Sequence, residues 1–233
     1  MPRPKAPHGR TGRPPVTSRE QILAAARRII ERDGFEKLTI RRLAAELGIG
    51  PTTLYHHVRD REDLLIQMLN EQADQSMRAD LPDDPRERIV TAAVAIHDGL
   101  ASWPWAAEIL TTDGFLGRLG EPAIRPVEAV LDGAIAYGCT SEQAVDLFRN
   151  LWYFTVGEIL VRTHSKQRRP GIEPPAVSDT FFSANVDMTW LPRLAEIGDE
   201  WPMIAARDTF APALRAFVDG LLAQATTGRS ATS

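Results

Sequence analysis

The sequence predicts an all-α protein with an N-terminal three-helix helix-turn-helix domain and a C-terminal helical domain. Apolar residues recur at helical spacing, as at Ile22, Ala26 and Ile29 in the first helix. Caps and breakers divide this pattern into short segments, and no stretch shows convincing strand alternation. The apolar fraction of 43% suits packed cores.

Composition bounds the class of protein. A chain of 233 residues fits a small domain joined to a medium one. Its single cysteine, Cys139, cannot form an intrachain disulfide. No segment resembles a secretion signal or the roughly 20 uncharged apolar residues that span a bilayer as a helix. We therefore expect a soluble, cytoplasmic protein without a membrane partner.

Charge is distributed unevenly along the chain. The net charge is −4, but residues 1–59 carry twelve Lys and Arg against five Asp and Glu, a balance of +7, which leaves −11 for the remainder. A basic head and an acidic body indicate that the head meets a polyanion while the body keeps the protein soluble. Many ordinary proteins also have uneven halves, so charge alone leaves the partner open.

Breaks in the helical pattern predict four segments. Residues 1–17 form a flexible basic tail that is too poor in apolar residues to order itself. Residues 18–62 form the helix-turn-helix domain, 63–225 the helical body and 226–233 a disordered end. Within the body, the sequence predicts helices near 85–102, 104–111, 122–137, 141–165, 188–198 and 206–224, with a long loop over 166–185.

Capping residues mark the three helices of the head. Thr17 precedes Glu20, and Ser18 precedes Gln21, by three residues, which is the spacing of a capping box. Thr39 and Gly50 are placed to cap the second and third helices. Gly48 supplies the positive φ that reverses the chain between those two helices. This arrangement is typical of a helix-turn-helix.

The third predicted helix has one apolar and one polar side. Leu54 and Val58 face inward, which leaves Thr52, Thr53, Tyr55, His56 and His57 exposed. Short hydroxyls that reach base edges, and aromatic or imidazole donors that reach phosphates, suit a recognition helix in a major groove. An αα-hairpin with a solvated polar face is the alternative. The basic head and the capped first helix favour DNA binding.

Residues 20–69 resemble the N-terminal domain of the tetracycline-repressor (TetR) family. The matching elements are Leu47-Gly48-Ile49, Thr53-Leu54-Tyr55 and His57-Val58. The resemblance implies an all-helical homodimer, usually a repressor. Its binding to a palindromic double-stranded DNA operator would be released by a small-molecule effector in the C-terminal domain.

The resemblance also implies which residues contact DNA. By position, Thr53, Tyr55, His57 and Arg61 correspond to the family's DNA-contacting residues. Arg41 and Gly50 are further candidates. Arg13 lies in a Gly-Arg-Pro segment that resembles arms inserted into narrow A·T-rich minor grooves. A disordered, solubilising tail is the alternative for that segment.

Aromatic residues crowd the body and suggest a cavity for an apolar or aromatic effector, although ordinary core packing is the alternative. Glu158 is a candidate polar anchor that would need a partner. The tetracycline repressors carry a magnesium-engaging histidine and glutamate where this sequence has Leu110 and Val161, so we expect neither a metal nor a cofactor. The predicted ligand-binding residues are Met77, Ile96, Trp103, Trp105, Leu110, Phe115, Trp152 and Glu158.

An apolar stripe on the last predicted helix must be covered. It consists of Phe210, Leu214, Phe217 and Leu221. In the TetR family the last helix pairs with the eighth, here about 141–165, across a two-fold axis. The stripe is therefore predicted as the dimer interface, with packing inside one chain as the alternative.

Two other functions are also compatible with the sequence. One is an activator, or a regulator of the same fold that binds DNA without a ligand. The other is a small-molecule-binding protein or enzyme with a vestigial DNA-binding head. The sequence contains no nucleophile motif, phosphate-binding glycine loop or ligand cluster, so we do not expect an enzyme.

Overall fold

A computed structural model of the chain describes residues 17–76, 81–111, 115–166 and 187–230. Every regular element in these residues is a helix, which confirms the predicted fold class. They divide into two compact units between Leu69 and Asn70, whereas the sequence placed the domain boundary at residue 62. Within the same residues, no helix is both long and apolar enough to cross a membrane.

The first unit is a three-helix head followed by the start of a fourth helix. Of the two predicted pairs, Ser18 and Gln21 form the capping box, because Ser18 Oγ accepts from the Gln21 N–H at 3.2 Å and Gln21 Oε1 accepts from the Ser18 N–H at 3.0 Å. Ile22, Leu43 and Leu54 are fully buried. The helices are α1 (Arg19–Asp33), α2 (Ile40–Leu47), α3 (Pro51–Tyr55) and α4 (Arg61–Ser76).

The second unit is built around four long helices. Helix α5 packs on α7 and α8, and α11 packs on α5 and α8. A Cβ at Gly133 would lie 2.7 Å from Ile89 Cγ1 and 2.8 Å from the Pro85 carbonyl oxygen, so glycine lets α5 and α7 cross closely. The helices are α5 (Pro85–Ala101), α6 (Pro104–Leu110), α7 (Glu121–Tyr137), α8 (Ser141–Lys166), α9 (Pro192–Ile197), α10 (Trp201–Ala205) and α11 (Phe210–Ser230).

The region before α11 differs from the sequence prediction. The single helix expected over 188–198 is a short 3-10 turn, Met188–Trp190, followed by α9. Helix α9 ends at Gly198, whose φ is +48°, and α10 was not predicted. Proline stands at the first position of α9 and at the second of α10, so each proline starts a new element.

The stripe predicted as a dimer interface is mainly part of the chain's own core. Phe210, Leu214, Val218 and Leu222 recur every four residues on α11 and are buried in a cluster with residues of α5, α7 and α8. Phe217 and Leu221 are partly buried against that cluster. The interface prediction is wrong for Phe210 and Leu214, because the stripe faces the chain's own helices.

Candidate functional site

The turn between α2 and α3 has the geometry that the sequence predicted. Gly48 adopts the left-handed conformation, with φ 66° and ψ 27°, and the Ile49 N–H donates to the Ala44 carbonyl at 3.0 Å. The Gly50 carbonyl then accepts from the Thr53 N–H at 3.0 Å and begins α3. These bonds satisfy the backbone at both helix ends and fix the direction in which α3 leaves the turn.

Helix α3 presents a polar surface around one buried anchor. Leu54 is fully buried, while Thr52 and Thr53 are exposed and the side chain of Tyr55 is 56% exposed. The helix ends at Tyr55, so His56 and His57 lie in the following turn, where they are also exposed. Five residues predicted to contact DNA therefore lie together on the exposed side of one short segment.

Several arginines near this surface are already paired with acids. Arg42 Nη2 lies 2.7 Å from Asp33 Oδ2, and Arg32 Nη2 lies 3.2 Å from Glu46 Oε2. Arg41, by contrast, is exposed and has no ion-pair partner among the described residues. Of these three guanidinium groups, that of Arg41 is the one whose charge is not paired with an acid among the described residues. The sequence does not distinguish it from Arg42, because the pairing depends on how α1 and α2 pack.

Arg61 does not lie where a phosphate contact was expected. Its Nε donates to the Leu38 carbonyl and its Nη2 to the Phe35 carbonyl, both at 2.8 Å. Its Cζ lies 4.8 Å from the centre of the Phe35 ring. The side chain therefore faces the link between α1 and α2. The expected role is corrected because two guanidinium N–H donors and one face of the group are engaged within the head.

Two of the predicted ligand-binding residues line one small cavity in the second unit. Ile96 on α5 and Trp152 on α8 face a space of about 10 Å³, which can hold one water molecule at most. Thr155 also faces this cavity, and it is the one polar residue that is buried among the described residues. The remaining lining residues are Ala93, Val130, Phe148 and Leu151.

Three other predicted ligand-binding residues lie in α6 or directly before it. Trp103 and Trp105 are stacked with ring centres 5.4 Å apart, and Trp105 and Leu110 are buried. None of these three lines the small cavity between α5, α7 and α8. The structure therefore divides the predicted lining residues between two places.

Glu158 is half-buried, and its carboxylate has a partner from another helix. His97 Nε2 lies 2.9 Å from Glu158 Oε2. Arg162 Nε lies 2.5 Å from Glu158 Oε1 as an ion pair without hydrogen-bond geometry. The pKa of the nearby Asp208 carboxyl is held below its usual value. The cause is the hydrogen bond that it accepts from the Phe210 backbone N–H, together with the positive charge of Arg162. Glu158 therefore joins α5 to α8 and is not a free anchor.

Comparison with known proteins identifies the head. Residues 22–68 match the family model of bacterial regulatory proteins of the tetR family. This segment contains α2, α3 and the turn between them, together with the first half of α4. The head of the chain therefore resembles the TetR family of bacterial regulatory proteins.

Curated relatives extend the likeness into the body. It is 28% identical over 218 residues to the transcriptional repressor DrrR1 of Streptomyces coeruleorubidus, which covers 90% of this chain and 76% of that protein. It is 31% identical over 144 residues to the class A tetracycline repressor of transposon 1721 in Escherichia coli, covering 60% of this chain and 64% of the repressor.

A solved structure shows the same fold. The Streptomyces coelicolor TetR family protein ActR in complex with (S)-DNPA superposes with a TM-score of 0.66 and 22% identity. The match covers 88% of this chain and 97% of ActR. The shared fold therefore includes most of the body as well as the head.

Some predicted sites lie outside the described residues. These are Arg13, Met77 and the side chain of Phe115. Among the side chains that are described, no three His, Cys, Asp or Glu residues are grouped so as to hold a metal ion.

Proposed function

We propose that this chain is a transcriptional repressor of the TetR family that binds a palindromic DNA operator as a homodimer and is released by a small apolar or aromatic effector. The observation that carries the proposal is the exposed polar surface of α3, which the Gly48 turn holds in place. The exposed Arg41 on α2, which has no ion-pair partner among the described residues, adds to it. The relative DrrR1 is itself a transcriptional repressor. A cytoplasmic location follows from the proposed DNA partner.

The surface of α3 suits reading in a major groove. Thr52 and Thr53 lie in its first turn, where short hydroxyls reach base edges and where the helix N-terminus favours phosphate. Tyr55 and His57 extend further and are suited to bind backbone phosphates. Arg41 adds a charged contact from α2.

A palindromic operator requires two symmetric copies of the chain, and we place their interface on the exposed sides of α8 and α11. On α8, the side chains of Tyr153 and Val161 are 63% and 67% exposed, with the exposed Gly157 between them. On α11, Ala216 and Gly220 are exposed one turn apart. Exposed large apolar groups next to small residues allow close helix packing between copies.

The effector site is proposed at the cavity between α5, α7 and α8. Its lining is apolar except for Thr155, which favours an apolar or aromatic molecule with one hydrogen-bonding group. A space of about 10 Å³ cannot hold such a molecule, so Trp152 or Phe148 must move when it binds. Binding then favours a second conformation, as release from DNA requires. ActR, solved with (S)-DNPA, is a fold relative whose complex contains a small molecule.

The proposal is tested by in vitro transcription. A promoter that carries an operator selected by the purified protein is transcribed with increasing amounts of the chain, and then with a library of apolar compounds. We expect repression, followed by recovery of transcript with at least one compound. Stimulated transcription would show an activator, and repression that no apolar or aromatic compound relieves would contradict the effector part of the proposal.

A further inference from the structure

Arg61 is the first residue of α4, and its guanidinium group is bound on two sides. Its Nε donates to the Leu38 carbonyl and its Nη2 to the Phe35 carbonyl, both at 2.8 Å. The Phe35 ring lies beneath the group, 4.8 Å from Cζ. Hydrogen bonds from a charged donor are roughly twice as strong as neutral ones, and the ring adds a cation–π contact. The side chain is thus held in one orientation.

The two carbonyls belong to the segment that sets the start of α2. Phe35–Lys37 is a 3-10 turn that follows Gly34, whose φ is +87°. Leu38 is fully buried, and the next residue, Thr39, caps α2 by accepting from the Arg42 N–H at 3.2 Å. By binding both ends of this short segment, Arg61 fixes where α2 begins. The position of α3 follows, because the Gly48 turn joins the two helices.

The next turns of α4 bind the other end of the motif. Asp63 Oδ2 accepts from the Arg59 N–H at 2.9 Å and from Gln67 Nε2 at 3.1 Å. Gln67 Nε2 also lies 3.2 Å from the His57 carbonyl, in the turn that follows α3. Helix α4 therefore contacts both the segment before α2 and the segment after α3.

We propose that Arg61 is a positioning residue for the DNA-reading surface and does not contact phosphate. The inference rests on the proposed DNA-binding function. Turning Arg61 outward to a phosphate would break two charge-assisted hydrogen bonds and the ring contact. With Arg61 bound inward, the first turn of α4 is tied to the segment that begins α2.

Replacement by lysine separates the two roles. A lysine ammonium binds a phosphate as a point charge, but it cannot span two carbonyls while lying flat on a ring. Each phosphate contact contributes about 0.9 to the slope of log affinity against log salt concentration. A positioning residue leaves that slope unchanged and lowers affinity for the operator relative to unrelated DNA.

The experiment compares Arg61→Lys, Arg61→Ala and Phe35→Leu with the wild type by fluorescence anisotropy on the selected operator and on unrelated DNA at several salt concentrations. Phe35→Leu removes the ring and keeps every basic residue. Arg41→Ala calibrates the loss of one phosphate contact. Circular dichroism at the assay temperature establishes that each variant is folded, and affinities are corrected for the folded fraction.

We expect both Arg61 variants to bind the operator about tenfold more weakly, with an unchanged salt slope and unchanged affinity for unrelated DNA. Phe35→Leu should weaken operator binding in the same way, to a smaller extent. Wild-type affinity in Arg61→Lys together with a slope reduced by about 0.9 in Arg61→Ala would overturn the inference. So would wild-type affinity in both Arg61 variants. Failure of the wild type to prefer any DNA would instead contradict the proposed function.

Discussion

At the scale of single residues, we expect some exposed side chains of α3 to specify the DNA sequence and others to position the protein on the DNA backbone. Thr53 lies in the first turn of α3 and Tyr55 at its last residue. We expect Thr53→Ala to change the preferred base at one position of each half-site, by about 1 kcal/mol. Tyr55→Ala should weaken binding to all sequences similarly, because phosphate contacts carry no direct sequence information.

This prediction is checked by repeating selection from random DNA with both variants. The two replacements serve as controls for each other, since both remove exposed atoms from the same helix. An unchanged consensus with Thr53→Ala, or a changed one with Tyr55→Ala, would contradict the assignment.

Much of the residue-scale site could be predicted from the sequence. Ser18, Gly48 and Gly50 have local roles, set by caps and turns within a few residues, and the sequence shows such roles directly. Arg61 could not be assigned in this way. The carbonyls that it binds, those of Phe35 and Leu38, lie more than twenty residues earlier, and only the packing of α4 against the head brings them together.

At the scale of helices, the buried side of α11 and the exposed side of α8 have different expected roles. Leu214 is fully buried in the chain's own core, so Leu214→Ala should destabilise the fold by about 2–5 kcal/mol. Tyr153 on α8 is exposed in the proposed interface, so Tyr153→Asp should produce a folded monomer. An unpaired charge there opposes burial against a second copy.

Thermal unfolding and sedimentation distinguish these two outcomes. Leu214→Ala should lower the Tm, whereas Tyr153→Asp should lose the dimer and the operator while its helical content stays unchanged. A stable dimer in Tyr153→Asp would place the interface elsewhere on the second unit.

Helices α5 and α11 are also joined by a bidentate ion pair. Arg86 Nε and Nη2 lie 2.5 and 2.8 Å from the two carboxylate oxygens of Asp219. Hydrogen bonding from Arg86 holds the pKa of Asp219 below its ordinary value of 3.8. A lowered carboxylate pKa stabilises the fold above the unfolded-state value, and this contribution is lost as the pH falls through the folded-state value.

We therefore expect Asp219→Asn to lower the Tm at pH 7 and to differ less and less from the wild type as the pH falls below 3.8. Thermal unfolding across this range measures the effect. Glu121→Gln, in the exposed pair with Arg125, is the matched control and should have little effect at any pH. A constant difference between Asp219→Asn and the wild type at all pH values would show that charge is not the cause.

The helices themselves were largely predictable, but the partners of their apolar faces were not. Spacing on α11 correctly showed a stripe that must be covered. It did not show that α5 and α8 of the same chain cover Phe210 and Leu214, because an intramolecular core and a dimer interface demand the same residue types. Helix α10 was missed because Pro202 and the residues around it indicate a break as readily as a helix start.

At the scale of the whole molecule, regulation requires that the effector and the operator favour different conformations. Thr155 supplies the buried hydroxyl in the proposed effector cavity. We expect Thr155→Val, which preserves shape and removes the hydroxyl, to weaken the response to the effector about tenfold while leaving operator affinity intact. Thr155→Ser retains the hydroxyl and is the control.

Effector titrations that displace labelled operator measure this response. An unaltered response in Thr155→Val would place the polar contact elsewhere. The sequence predicted an effector site from aromatic residues in the body, but it did not show which of them share one cavity. Trp152 and Ile96 come together only because α5, α7 and α8 pack side by side. Trp105 lies in α6 and Trp103 directly before it, away from that cavity.

The exposed polar surface of α3 within a basic head makes recognition of DNA the central claim about the whole molecule. Selection of bound sequences from random double-stranded DNA by the purified wild-type chain tests this claim, at a moderate salt concentration that suppresses non-specific binding. We expect a strongly enriched palindrome in which each half-site is read by the α3 helix of one subunit. The absence of any enriched sequence, or an enriched site without two-fold symmetry, would contradict it.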